Sequence, residues 1–233
     1  KLNMKDRIFE LKQNNISDFA FDESVVKVFP DMIRRSIPGY ETMISMTGLL
    51  IASKLKNPGL VYDLGCSLGA STKAILDHRP EDEINVIAVD NSKDMIERAK
   101  ENIKDHRVQF VLGDVLETKI ESADAVVGNF IMQFLPQETR EPFLKKIYEG
   151  MNSGSILVIS EKIDDSSYIA IHEDWKKANG YSNIEVEQKR QSLENVMRVD
   201  SESTHLKRFE SAGFTAVQQW FRCLNWASFL MYK

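Results

Sequence analysis

The chain has 233 residues, with 30 Lys and Arg against 35 Asp and Glu, for a formal net charge of −5 and a pI near 5.5. That length suits one full α/β domain with elaborations, and the acidic balance weighs against extensive nucleic-acid contact, which needs a basic face. No apolar run reaches the roughly 20 residues of a membrane span and no secretory leader is visible, while Cys66 and Cys223 form neither a metal-ligand spacing nor a disulfide framework. A cytoplasmic protein without a metal is expected. Lys1, Leu2 and Asn3 read as a remnant of expression ahead of Met4, the natural start.

The polar residues to about Asn15 predict a short or fraying helix. Val25, Val26 and Val28 supply the apolar contacts of a helical piece over 23–29, which Pro30 interrupts. Met32 and Ile33 begin another piece ending near Ser36. Ile37-Pro38-Gly39-Tyr40 is a turn, and Tyr40 stands ahead of the core where a lid over a cofactor would be; plain packing suits it equally well. A helix is predicted over 41–56, with Met43, Met46, Leu49, Leu50 and Leu55 on its core stripe.

Val61-Tyr62-Asp63-Leu64-Gly65-Cys66-Ser67-Leu68-Gly69 organises the rest. It reads as a buried strand entering a glycine-bearing turn, with a helix over 70–76 behind it. Such a loop after the first strand of an open sheet binds nucleotide-like ligands. A dinucleotide would need Gly-x-Gly-x-x-Gly to seat a pyrophosphate. Here the spacing is Gly65-x-x-x-Gly69, and Asp63 would repel a pyrophosphate. An acid there suits a ligand with an ammonium and no phosphate, such as S-adenosylmethionine, and no Gly-Lys-Ser/Thr follows to make a P-loop. The stretch resembles the first motif of class I methyltransferase-fold proteins, with Ser67 in place of the usual middle glycine.

A second strand over 84–89 ends in Asp90-Asn91, where an acid can accept hydrogen bonds from both ribose hydroxyls. Helix capping is the other use for Asp90, but Ser92 is better placed for it. Met95, Ile96, Ala99 and Ile103 form the buried face of the helix that follows. A third strand over 108–112 leads to Gly113-Asp114-Val115. Asp114 can accept from an adenine amine while the neighbouring amide donates to a ring nitrogen; an ordinary surface Asp fits that loop as well. A fourth strand, 123–130, carries Asn129 at its end. These strand-end polar groups converge on one edge of the sheet.

Pro136 opens a helix to about Gly150, with Phe143, Leu144, Ile147, Tyr148 and Met151 inward. Asn152-Ser153-Gly154 turns the chain into a fifth strand over 155–160, and Glu161-Lys162 beyond it reads as an ion pair or a solvated end. The polar, helical stretch 163–198 is an insertion where a substrate lid would sit. Ser201 caps a helix with Leu206, Phe209 and Ala212 inward, closed by Gly213. Strands over 217–223 and 226–232, joined at Leu224-Asn225, form an antiparallel hairpin. Alternating strands and helices before that hairpin imply a doubly wound, mostly parallel seven-stranded sheet. One domain over 1–233 is expected, with an N-terminal helical extension to about 57. His78, His106, His172 and His205 show no ligand spacing and read as ordinary structural residues.

Longer segments carry a more specific likeness. Val28-Phe29-Pro30-Asp31-Met32-Ile33, Arg35-Ser36-Ile37-Pro38-Gly39-Tyr40, residues 62–69, Ile147-Tyr148-Glu149-Gly150, Ser160-Glu161-Lys162, Lys177-Ala178-Asn179-Gly180-Tyr181, Gln188-Lys189-Arg190, Leu193-Glu194-Asn195-Val196-Met197 and Trp220-Phe221 resemble the carboxy-S-adenosyl-L-methionine synthase family over nearly the whole chain. The resemblance implies an enzyme that uses S-adenosylmethionine as substrate and converts it, with prephenate, to carboxy-S-adenosylmethionine and phenylpyruvate. Prephenate loses carbon dioxide, which a sulfonium ylide at the methyl group captures. A separate enzyme then carboxymethylates hydroxyuridine at the tRNA wobble position, so no direct nucleic-acid contact is implied.

By motif, the resemblance places Tyr40, Gly65, Cys66, Ser67, Asp90, Asn91, Asp114, Val115 and Asn129 on the nucleoside, beside Asp63 read from the loop itself. It places Arg190 on the added carboxylate of the product, near a homodimer interface. A guanidinium can hold a carboxylate bidentately and stays charged, although its position alone would suit a solvated helical Arg. No general base is assigned. Gly128, Ile131-Met132, Ser153 and Ser155 depart from the family pattern, and the stretch between Lys162 and Trp175 is several residues shorter. Two other readings stand beside this one: a methyltransferase of a small molecule or tRNA, and a non-enzymatic S-adenosylmethionine-binding protein.

Overall fold

The computed structural model describes residues 4–81 and 83–233, so the expectation about residues 1–3 lies outside it. Short runs of β-branched residues make seven strands: β1 (Gly59–Leu64), β2 (Ile84–Asp90), β3 (Val108–Leu112), β4 (Ala123–Asn129), β5 (Met151–Lys162), β6 (Ala216–Cys223) and β7 (Trp226–Tyr232). They join one sheet in the order β3-β2-β1-β4-β5-β7-β6. The first five pair in parallel, and β7 pairs antiparallel to both β5 and β6. The strand order reverses between β1 and β4, so the loops beyond their carboxyl ends diverge and leave a crevice.

Eight α-helices accompany the strands among the described residues: α1 (Glu23–Ser36), α2 (Tyr40–Lys54), α3 (Ala70–Asp77), α4 (Lys93–Asn102), α5 (Gln137–Gly150), α6 (Ile169–Ala178), α7 (Asn183–Leu193) and α8 (Glu202–Ser211). Successive strand residues face opposite sides. Val126 and Leu157 pack with Phe143, Leu144 and Phe209 of α5 and α8. Val127 and Val158 pack on the other side with Ile51 of α2 and Ile75 of α3. Each such buried side chain is worth about 1.5–3 kcal/mol, which is why these strands read as continuous apolar runs. None of these helices is long and apolar enough to cross a membrane.

Several local expectations change. Pro30 does not divide its segment: α1 runs unbroken through it. The ring forfeits one backbone hydrogen bond, and Val25, Val26, Val28 and Met32 packed around Met95 of α4 hold the helix through the gap. Residues 4–22 form neither helix nor strand, yet they are tied down rather than frayed. Tyr181 Oη donates to Asp6 Oδ2 at 2.5 Å, and Gln188 Nε2 donates to the carbonyls of Phe9 and Leu11.

The inner face of α2 is Met43, Thr47, Gly48, Ile51 and Ala52, whereas Met46 and Leu49 are 38% and 43% exposed. Small residues are needed there because a Cβ on Gly48 would come within 2.6 Å of Ala74 on α3. On α8, His205 is buried and Leu206 is exposed, because His205 lies between the Phe209 and Phe229 rings. The fifth strand begins at Met151 and passes through the segment read as a turn. There Gly154 N–H donates to the Lys233 carbonyl, which extends the sheet edge.

Candidate functional site

Gly65 takes φ +72° and Gly69 φ +81°, conformations that side chains rarely adopt. A Cβ on Gly65 would also meet Ile131 at 2.8 Å, and one on Gly69 would meet Ile103 at 2.6 Å. Gly65 therefore serves close approach at the crevice, while Gly69 serves the packing of the loop on α4. Ser67 itself has φ +49°. Its backbone N–H donates to Asp90 Oδ2 at 2.9 Å, a bond a glycine could make as well, and its hydroxyl contacts Met95 Sδ at 3.4 Å, the contact that the serine side chain adds.

This loop forms one wall of a cavity of about 540 Å³ in the crevice beyond β1, β2 and β4. Tyr40, Gly65, Cys66, Ser67, Asp90, Asn91, Asp114, Val115 and Asn129 all line it. Asp90 accepts from Ser67 N–H on one oxygen and from Ser92 N–H on the other. Burial raises its pKa, and those two bonds work against the rise. Asp114 accepts the Leu116 N–H at 2.8 Å. Tyr40 opens α2 rather than lying in a turn, and its ring stands 6.2 Å from that of Phe130. Burial, then the charge of Asp63, pushes the Tyr40 phenol up, and burial likewise pushes up the Cys66 thiol, so both are neutral.

Asn129 is the clearest pointer to what the cavity can bind. Its Nδ2 donates to Ser71 Oγ at 3.0 Å, while its buried Oδ1 has no partner. A buried unpaired carbonyl costs about 1–3 kcal/mol, and a ligand ammonium or hydroxyl would satisfy it. With a carboxylate at Asp90 and apolar Met95, Val115 and Ile131 on the walls, the cavity suits a nucleoside carrying an amino-acid tail.

Two expected residues are not on the wall. Asp63 is only 2% exposed and lies behind the loop, because Thr72 N–H and Oγ1 bind its Oδ2 at 3.1 and 2.6 Å. Burial raises its pKa to about 6 despite those bonds, and Asp90 adds to the rise. Arg190 is 66% exposed and pairs with Glu173 at 3.1 Å on the outside of the insertion. Neighbours on a helix point about 100° apart, so α7 turns Lys189 to the cavity and Arg190 away from it.

Other wall residues were given no site role by the sequence. Arg34, Lys162, His172, Lys176 and Lys189 line the end of the cavity beneath the insertion. His172, read above as an ordinary structural residue, is buried against the Ser36 carbonyl at 2.8 Å and stacked with Trp175. Burial and nearby lysines push it down to about 3, so it is neutral. Glu161 is neither solvated nor paired with Lys162. It is fully buried and accepts the Met132 and Gln133 N–H groups, which fixes the turn after β4. Lys162 points to the cavity instead. Ser160-Glu161-Lys162 and Gln188-Lys189-Arg190 were the sequence signals near this end; inside the second, only the helix rotation distinguishes Lys189 from Arg190.

A family model described as a methyltransferase domain matches residues 61–154, the span from β1 to β5. Proteins named carboxy-S-adenosyl-L-methionine synthase are similar over the full length. The one from Vibrio cholerae is 44% identical across 100% of this chain and 98% of its own, and that from Actinobacillus succinogenes is 44% identical across 98% and 99%. Among solved structures, a Leishmania major S-adenosylmethionine-dependent methyltransferase shares the fold with a TM-score of 0.63 at 15% identity, over 91% of this chain and 78% of that one. Human N-acetylserotonin methyltransferase, solved with S-adenosylmethionine, gives 0.59 at 14%, over 91% and 55%. This chain spans little more than half of the human enzyme, and at such identities the likeness carries the fold alone.

Proposed function

The chain belongs to the carboxy-S-adenosyl-L-methionine synthase family, and from that premise we propose that it converts S-adenosylmethionine and prephenate to carboxy-S-adenosylmethionine and phenylpyruvate. The balance releases one water: prephenate gives up carbon dioxide and its ring hydroxyl, the sulfonium methyl gives up a proton, and the resulting ylide carbon bonds to the carbon dioxide. The product serves a separate enzyme that modifies the tRNA wobble uridine. The protein acts in the cytoplasm as one domain per subunit of a homodimer.

In this reading Asp90 accepts the ribose hydroxyls, and Asp114 with the Val115 N–H reads the adenine. Asn129 takes the ammonium, which the charge of Asp63 favours from behind the loop, and Tyr40 covers the sulfonium. Arg190 leaves Glu173 to hold the added carboxylate, at the subunit interface. The observation that most supports a nucleoside with an amino-acid tail is the unpaired Asn129 Oδ1 at the cavity wall that also carries Asp90.

Purified protein incubated with both substrates is expected to yield a nucleoside heavier by one carboxyl group in mass spectrometry. Absence of that product under saturating prephenate would sink the reading. Formation of S-adenosylhomocysteine with an acceptor would instead make the protein a methyltransferase.

A further inference from the structure

Three ammonium groups from three elements meet at one end of the cavity. Lys162 ends β5, Lys176 lies on α6 and Lys189 on α7, and all three line the wall. They are close enough that Lys162 and Lys189 each hold the pKa of Lys176 down, with burial the larger cause. Like charges in a half-dry cavity are a standing cost to the fold. A chain that needed only packing there would use uncharged side chains.

The protein's own acids only partly offset this charge: Glu173 acts on Lys162 and Lys176, and Asp164 on Lys162, without an ion pair to either lysine among the described residues. Asp6 Oδ2 lies 3.9 Å from Lys189 Nζ, and Lys189 also donates to Ser36 Oγ at 2.8 Å. Glu173 is held by Arg190. Among the described residues, Lys162 and Lys176 have no ion-pair partner, and Lys176 Nζ makes no hydrogen bond; Lys162 Nζ stands 6.0 Å over the Trp226 ring. With Lys189 offset by Asp6, Lys162 and Lys176 are left to meet whatever enters from outside. An anion there would favour the charged form of Lys176, whose pKa burial and repulsion hold near 7.

We propose that Lys162, Lys176 and Lys189 form the anion subsite that receives the second substrate as a dicarboxylate, with Lys176 the leading contact. The subsite rests on the reaction proposed above, in which prephenate is that dianion, and its two carboxylates match Lys162 and Lys176, whose mutual repulsion they would relieve. Its place beneath α6 and α7, at the opposite end from Asp90 and Asp114, puts the dianion against the tail of the nucleoside. The lysines bind and orient the substrate; they are not asked to transfer a proton.

Titration calorimetry on protein loaded with S-adenosylhomocysteine separates binding from turnover. Prephenate is titrated into wild type, Lys162→Met, Lys176→Met and Lys176→Arg. Each Met variant is expected to lose at least about tenfold in prephenate affinity, Lys176→Arg to stay within about threefold of wild type, and S-adenosylmethionine affinity to change less than about twofold. Because Lys176 Nζ supports no contact within the protein, Lys176→Met should melt no lower than wild type, a result that a merely structural lysine would not give.

Unchanged prephenate affinity in both Met variants, an equal loss of S-adenosylmethionine affinity, or no prephenate binding to wild type would overturn the subsite. Lysine-dependent binding without any carboxylated product would leave the subsite standing and reject the reaction. Normal turnover by both Met variants at unchanged KM for prephenate would do the reverse.

Discussion

Asp90 Oδ2 accepts the Ser67 backbone N–H at 2.9 Å, which ties the carboxyl end of β2 to the loop that follows β1. The same carboxylate starts α4 through the Ser92 N–H, so one side chain shapes the loop and presents charge to the cavity. Asp90→Ala should lower S-adenosylmethionine affinity by about 10–100-fold and destabilise the fold by about 1–3 kcal/mol, since two donors lose their acceptor. Calorimetric titration and thermal melts read the two effects separately; a variant that binds as wild type does would remove Asp90 from the ribose.

Asp63 titrates near 6 in the folded chain against 3.8 when free. An acid with a raised folded pKa stabilises fully below its unfolded value and loses that contribution as pH rises through its folded value. Stability should therefore fall between about pH 3.8 and 6 in wild type. Asp63→Asn keeps an acceptor for Thr72 N–H and Oγ1 but carries no charge. It should be flatter across that window and more stable above it by up to about 3 kcal/mol, with weaker S-adenosylmethionine binding. Denaturant melts from pH 3.5 to 7.5 check the slope.

Lys176 behaves in the opposite sense. It titrates near 7 folded against 10.5 free, through burial and the repulsion of Lys162, Lys189 and Arg190, which Glu173 partly relieves. Between those values the unfolded chain holds the extra proton, so stability should rise with pH by at most about 1.4 kcal/mol per unit, and the full burden applies below 7. Melting curves of wild type and Lys176→Met from pH 6 to 9 should converge at the alkaline end. Parallel curves would show that Lys176 is not held in a repulsive site.

Arg190 and Glu173 form an exposed pair, which contributes at most about 1 kcal/mol to stability. Arg190→Ala should leave the melting temperature nearly unchanged. It should reduce retention of the carboxylated product at least about tenfold while sparing S-adenosylmethionine. Competition binding of the two nucleosides measures the ratio, and an equal loss of both would withdraw Arg190 from the carboxylate.

The sheet was legible because each strand is a short apolar run bounded by turn residues, and such runs have few alternative uses. The loop over 63–69 was legible because Gly65 and Gly69 take positive φ, a local backbone requirement that shows in the sequence as glycine. The contacts with Ile131 and Ile103 that also demand them do not show there. Gly128 and Ile131 illustrate the limit. Each reads singly as a departure from the family pattern, yet a Cβ on Gly128 would lie 3.3 Å from Ile131 Cγ2. One residue fills the room the other leaves, and that compensation exists only in space.

Patterns of apolar residues, turn chemistry and strand-end polar groups were enough to set the sheet's parallel core, the closing hairpin and the edge where the strand-end polar groups gather, because these follow from periodicities of two and 3.6 along the chain. The tertiary structure alone decided which way each polar side chain of the insertion points. Lys189 and Arg190 are adjacent and chemically alike, and only the packing of α7 on the N-terminal arm turns one inward and leaves the other outside. Likewise, no local rule distinguishes Lys162 from its buried neighbour Glu161. The turn after β4 claims the carboxylate for its own N–H groups and leaves the ammonium facing the cavity.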